Sequence, residues 1–248
     1  MDLEALNKVA LAMVEPGKGI LAADESFGTI GKRFASIDTE NNEDNRRDWR
    51  EMLFRTERAM KNHISGVILF DETLRQSGKD GTKLVDIIKS HDAIPGIKVD
   101  AGTTPLAGRP GETITQGLDG LRERLAEYYE LGARFAKWRA VIEISHPDQY
   151  VGSTPTRGGI KANTHALGRY AALCQEANIV PIVEPEILMG GHHSVERCHE
   201  VTEKTLNSLF TELYEQGVAL EGTILKPNMV VAGKKCAEQP SREEIAER

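Results

Sequence analysis

Short apolar runs that end on ionisable residues alternate with longer amphipathic stretches along the chain. Leu3, Leu6, Val9, Ala10 and Met13 fall on one helical stripe, so residues 2–14 read as a helix stopped by Glu15-Pro16-Gly17. GILAADES, residues 19–26, reads as a strand finishing on Asp24 and Glu25. Residues 27–38, with Gly28, Gly31, Lys32 and Arg33, read as a turn entering a basic surface. A polar helix beginning near residue 40 turns Trp49, Leu53, Phe54 and Met60 inward. ISGVILF, residues 64–70, is the next strand, closed by Asp71 and Glu72, which read as ion-pair partners.

A short helix over 82–90 leads to the strand GIKVD, residues 96–100, which carries Lys98 and Asp100. Residues 101–117 are rich in Gly, Pro and Thr and read as a loop. A helix over 118–131, capped by Gly132, precedes the strand ARFAKWRAVI, residues 133–142. That strand places Lys137 and Arg139 two apart, hence on one face, and two cations facing inward need an anion. After a second loop over 145–159 come a helix over 161–177 and the strand IVPIVEPEIL, residues 179–188, with Glu184 and Glu186 on one face. A long helix over 192–216 is followed by LEGTILKPN, residues 220–228, read as a short buried strand with Lys226 at its mouth. Pro227 biases Lys226 toward extended backbone, and an amine at an apolar strand end is partly desolvated and nucleophilic. Pro240, Ser241 and Glu244 look like a fresh helix start.

This βα repetition implies a parallel sheet with right-handed crossovers. An open doubly wound sheet and a (β/α)₈ TIM barrel both fit the repetition. The barrel is favoured because ionisable residues sit at several different strand ends, which a barrel gathers at one mouth. No glycine-rich phosphate turn of the G-x-G-x-x-G kind is present. Only six βα units are evident, against the eight of a closed barrel. Residues 1–248 therefore read as a single TIM-barrel domain, incomplete at its C-terminus, whose open edges could drive self-association.

Composition narrows the class. A formal net charge of -7 with both signs interspersed offers no basic block for nucleic acid. Three widely spaced cysteines, Cys174, Cys198 and Cys236, fit a reducing compartment. The N-terminus lacks a secretory apolar region and no apolar run reaches membrane-spanning length, so the expectation is a cytoplasmic protein without a membrane partner.

The candidate chemistry lies at the strand ends: Asp24, Lys98, Lys137, Arg139, Glu184, Glu186 and Lys226. Lysines drawn close together disfavour one another's charge, which would keep one amine neutral and ready to attack a carbonyl. Interleaved carboxylates can move protons on and off a carbinolamine, and surplus cations suit a phosphorylated substrate. A web of structural ion pairs is the alternative. His192, His193, Cys198 and His199 match no metal spacing and read as solvated groups at a helix start. No metal or cofactor is expected.

These segments resemble class I fructose-1,6-bisphosphate aldolase, the metal-independent Schiff-base type. The resemblance is carried over essentially the whole chain by GILAADES, TENNEDNRRDWR, GVILFDETL, GIKVD, PLAG, TITQGLDGL, FAKWR, IVPIVEPEI and LEGTILKPNMV, in that order. It implies a (β/α)₈ barrel, a homotetramer, and a place in glycolysis and gluconeogenesis. By resemblance, Lys226 forms the Schiff base, Lys137 tunes it and assists proton transfer, and Glu184 is the acid/base of the carbinolamine. Asp24 handles the C4 hydroxyl proton and Glu186 supports the lysines from the side. Lys98, Arg139, Arg33 and Lys32 become candidates for phosphate, and Thr29 stands where the family has a serine. The loop over 145–159 departs from the animal enzymes. The family's last strands and phosphate-binding loop would follow Arg248, so a 248-residue chain alone is expected to turn over weakly. Rival readings are another Schiff-base lyase or transferase of the same barrel, and a non-catalytic fragment acting by association.

Overall fold

The computed structural model describes residues 1–145 and 153–247. In order they form α1 (Leu3–Met13), β1 (Gly19–Ala23), α2 (Phe27–Ala35), α3 (Glu43–Phe54), α4 (Glu57–His63), β2 (Ile64–Leu69), α5 (Asp71–Arg75) and α6 (Leu84–Lys89). Then come β3 (Ile94–Lys98), a hairpin of β4 (Thr103–Pro105) and β5 (Thr113–Thr115), α7 (Leu121–Glu130), β6 (Phe135–Ile142) and α8 (Arg157–Glu176). The chain continues through β7 (Val180–Ile187), α9 (Val195–Glu215), a 3-10 turn (Leu220–Gly222), β8 (Ile224–Leu225) and α10 (Arg242–Ala246).

Six strands form one parallel sheet in the order β1-β2-β3-β6-β7-β8, an open half-barrel flanked by helices. The expected six βα units are therefore present as a partial (β/α) barrel. Strand periodicity sorts the side chains into two cores. Along β6, Phe135 points to the concave side, while Ala136, Trp138 and Ala140 join the layer beneath the helices. Lys137 and Arg139, at alternate positions from Phe135, share its side. In the outer layer Trp138 packs 5.5 Å from Tyr170 of α8, whose hydroxyl donates to the Ile182 carbonyl. On the concave side α1 lays Leu6, Ala10 and Met13 against Ile68, Phe135, Val180 and Ile182, plugging the half-barrel below the strand ends that carry charge.

Phe135 explains two glycines. It sits across from Gly96 in register, and a Cβ on Gly96 would lie 2.3 Å from its ring, one on Gly66 2.9 Å. The ring occupies the space that side chains on β2 and β3 would otherwise fill.

Several expectations are corrected. Residues 27–35 are helical rather than a turn, because Ile30 and Phe34 give that stretch a buried face. The polar helix is two helices, broken at Arg55 and Thr56. The stretch over 101–117 contains the β4–β5 hairpin, whose Thr115 hydroxyl donates to the Arg139 carbonyl of β6 at 2.8 Å. In the 145–159 loop, residues 146–152 lie outside the described residues, and helix α8 already begins at Arg157. Thr154 is held by the Ser145 amide at 2.9 Å. The proposed buried strand over 220–228 is two residues of β8, half-buried and paired with β7 alone.

Candidate active site

The ends of β1, β3, β6, β7 and β8 bring charged side chains to the concave mouth because the inward period of the strands places them there. The pairings are set by neighbouring strands. Lys137 on β6 reaches Asp24, just past β1, at 3.1 Å, and Glu184 Oε2 on β7 at 3.3 Å. Glu184 Oε1 in turn pairs with Lys226 Nζ, just past β8. Asp24, Lys137, Glu184 and Lys226 thus form one connected chain across four strand ends. Glu184 and Lys137 are buried, whereas the Lys226 side chain is 52% exposed.

That exposure corrects the expected desolvated lysine: a two-residue strand paired on one side covers little of it. The expected mutual depression of the lysines is also corrected at Lys137. Burial works against its charge, but Asp24, Glu184 and Asp100 outweigh burial and hold the ammonium above its ordinary value. Lys137 is a fixed cation, and Lys226 is the amine that faces open space. A cavity of about 180 Å³ beside it is lined by Glu184, Glu186, Met189, Lys226 and Asn228. A larger groove of about 670 Å³ lies between α8 and α9, away from the strand ends. Three of its four cations, Lys161, Arg197 and Lys204, are paired with Glu212 and Glu200.

The remaining predicted residues surround this chain. Lys98 is held by Asp100 Oδ1 at 2.8 Å and the Asp100 carbonyl at 3.0 Å. Glu186 pairs with Arg139. Arg139 stands opposite Glu184 in the ladder, one step beyond Lys137 on the same face. Arg33 and Thr29 lie on α2, apart from the lysines: Arg33 pairs with buried Glu25, and the Thr29 hydroxyl lies 3.1 Å from that of Ser26. Lys32 is exposed on the same helix. Asp71 and Glu72 pair with Arg75 and Arg46, as expected of ion-pair partners.

Sequence reasoning passed over Arg50 and Glu25. Arg50, fully buried on α3, donates to the Glu25 carbonyl at 2.7 Å. A signal was available, since Arg50 lies one residue from the apolar stripe of a helix predicted to pack inward. The histidine stretch is also corrected: His193 and Cys198 are buried rather than solvated, because the loop over 189–194 is pinned by amides of Gly233, Lys234 and Lys235.

The fold is that of a partial parallel βα barrel with a lysine and carboxylate chain at its strand ends. Residues 5–248 match the family model described as fructose-bisphosphate aldolase class-I. The chain is 60% identical over 247 residues to a probable fructose-bisphosphate aldolase class 1 of Xanthomonas axonopodis pv. citri, covering all of this chain and 72% of that protein. It is 52% identical to the fructose-bisphosphate aldolase of Dictyostelium discoideum, over 98% of this chain and 67% of the relative. Among solved structures it superposes with a TM-score of 0.92 on fructose-bisphosphate aldolase from Plasmodium falciparum in complex with TRAP and a small molecule inhibitor. That match has 47% identity and covers 98% of this chain and 69% of the other. The chain belongs to the class I fructose-bisphosphate aldolase family. Its reaction is the reversible cleavage of fructose 1,6-bisphosphate to dihydroxyacetone phosphate and glyceraldehyde 3-phosphate through a lysine Schiff base, and its substrate is a phosphorylated sugar. Among the described residues no helix is long and apolar enough to cross a membrane.

Proposed function

We propose that Lys226 is the Schiff-base lysine and that the Asp24–Lys137–Glu184 chain moves the protons of the reaction. The observation that carries this reading is the shared carboxylate of Glu184, which takes Lys226 on one oxygen and Lys137 on the other. Lys226 passes a proton to Glu184 and attacks the ketose C2 carbonyl. Glu184 returns the proton to the carbinolamine hydroxyl, which leaves as water as the imine forms. The protonated imine then accepts the electron pair of the breaking C3–C4 bond while Asp24 takes the proton of the C4 hydroxyl. Lys137, held charged, stabilises the oxygen anion that develops there. The aldehyde leaves, the proton held by Asp24 returns to C3 of the enamine to regenerate the imine, and water hydrolyses that imine to free dihydroxyacetone phosphate and restore Lys226.

Around this centre, Lys98, Arg139, Arg33 and Thr29 are proposed to receive phosphate and hydroxyl groups, with Asp100, Glu186, Glu25 and Ser26 as the partners they exchange. Glu186 acts through Arg139. We further propose that residues 1–248 act as one barrel domain, in the cytoplasm and in a homo-oligomer, a tetramer by family resemblance; native mass spectrometry of the intact protein tests the assembly.

The test of the central reading is incubation with dihydroxyacetone phosphate and borohydride, followed by peptide mapping. A reduced adduct on Lys226 supports it. An adduct on Lys137 or Lys98 in its place overturns the assignment.

A further inference from the structure

Arg50 lies on α3 with no exposed surface and takes no step in the chemistry above. Its Nη2 donates to the Glu25 carbonyl at 2.7 Å and stands 4.0 Å from the Glu25 carboxylate. Its Nη1 lies 3.6 Å from Glu72, which Arg46 grips with two hydrogen bonds, and its guanidinium sits 5.8 Å from the centre of the Phe70 ring. Nε and Nη1 make no hydrogen bond. Burying a guanidinium so completely is expensive, and an apolar side chain of similar volume would fill the space better. What the guanidinium holds is the peptide after β1. Glu25 follows Asp24 directly, and the Glu25 carboxylate pairs with Arg33. Two consecutive residues therefore carry the carboxylate that meets Lys137 and the carboxylate that holds Arg33, and the carbonyl that Arg50 grips belongs to the second.

We propose that Arg50 is a positioning residue for carbon–carbon cleavage: by gripping the Glu25 carbonyl it fixes the turn between β1 and α2, so that Asp24 stands 3.1 Å from Lys137 Nζ. The proposal rests on the reading of Asp24 as the base at the C4 hydroxyl. Schiff-base formation uses Glu184 on β7 and Lys226 just past β8, whereas Arg50 grips the turn after β1, at the other end of the strand order.

Arg50→Lys keeps the charge, but a single ammonium cannot reach the carbonyl and both carboxylates as a planar fork does. In the intact protein, R50K lowers kcat for fructose 1,6-bisphosphate cleavage about 100-fold, the cost of a misplaced reacting group, and leaves borohydride trapping of dihydroxyacetone phosphate at Lys226 within about twofold. D24N and D24N/R50K cleave at the same rate, because Arg50 acts through Asp24. Loss of trapping and cleavage in equal proportion overturns the proposal, since a merely structural arginine would lower both. A normal R50K beside an impaired D24N overturns the proposal alone, whereas full cleavage by D24N overturns the Asp24 reading with it. Should R50K not accumulate folded, Glu72→Gln loosens the same guanidinium from its other side; it shows a smaller loss of cleavage with trapping retained, and equal losses overturn the proposal.

Discussion

Lys137 Nζ stands 3.3 Å from Glu184 Oε2, and the other oxygen of that carboxylate carries Lys226. Both residues are buried; in the proposed mechanism Glu184 exchanges a proton with the exposed amine while Lys137 supplies a positive charge on its far side. Replacing Glu184 by Gln removes the proton carrier and keeps the shape. The expected outcome is a fall of about 10²- to 10⁴-fold in Schiff-base formation, read by rapid-quench trapping with borohydride. Unchanged trapping in E184Q would remove Glu184 from the mechanism.

Lys137→Met leaves Asp24 and Glu184 facing each other without their cation. Losing one partner of a buried pair costs about 3–5 kcal/mol. The pH sign follows from the raised folded value of Lys137: the stabilisation is fully present below the ordinary 10.5 and is lost as pH rises through the folded value. Urea titrations should show the wild type losing this increment on the alkaline side, with K137M lower throughout and without that loss.

His193 is buried with neither ring nitrogen hydrogen-bonded, and burial, then Arg197, pushes it below its ordinary 6.5. Here the unfolded chain binds the extra proton, so stability is complete above 6.5 and falls as pH drops toward the folded value. His193→Leu should flatten that part of the profile. Thermal melts between those limits check it, and parallel profiles for the two proteins would contradict it.

Gly96→Ala drives a methyl group into the Phe135 ring, from which its Cβ would lie 2.3 Å. Overpacking of this kind costs about 1–3 kcal/mol. Adding Phe135→Leu should restore part of it, so the double-mutant cycle shows favourable coupling. Strictly additive losses would mean that the ring does not contact the new methyl.

Much of this was legible in the chain. The alternation of GILAADES, ISGVILF, FAKWR and IVPIVEPEI with amphipathic stretches announced parallel βα units, and period two put Lys137 with Arg139 and Glu184 with Glu186. The helix at residues 27–35 was harder to see, because its two buried residues, Ile30 and Phe34, stand among glycines and cations. The β4–β5 hairpin was hidden by threonines and a proline whose strand character comes from each other's ladder rather than from apolar patterning.

By itself, then, the sequence determined which residues face the mouth of the half-barrel, since that depends only on local backbone period. It also carried the family resemblance, since that rests on the order of short segments. Only the tertiary structure decided who meets whom. The register of six strands delivers Glu184 to both lysines, assigns Glu186 to Arg139, and leaves Lys226 half in solvent at the end of a strand paired on one side. It also draws Arg50 of α3 onto the Glu25 carbonyl, 25 residues away in the chain. Such pairings depend on distances between segments far apart in sequence, which packing and strand register set and no local pattern encodes.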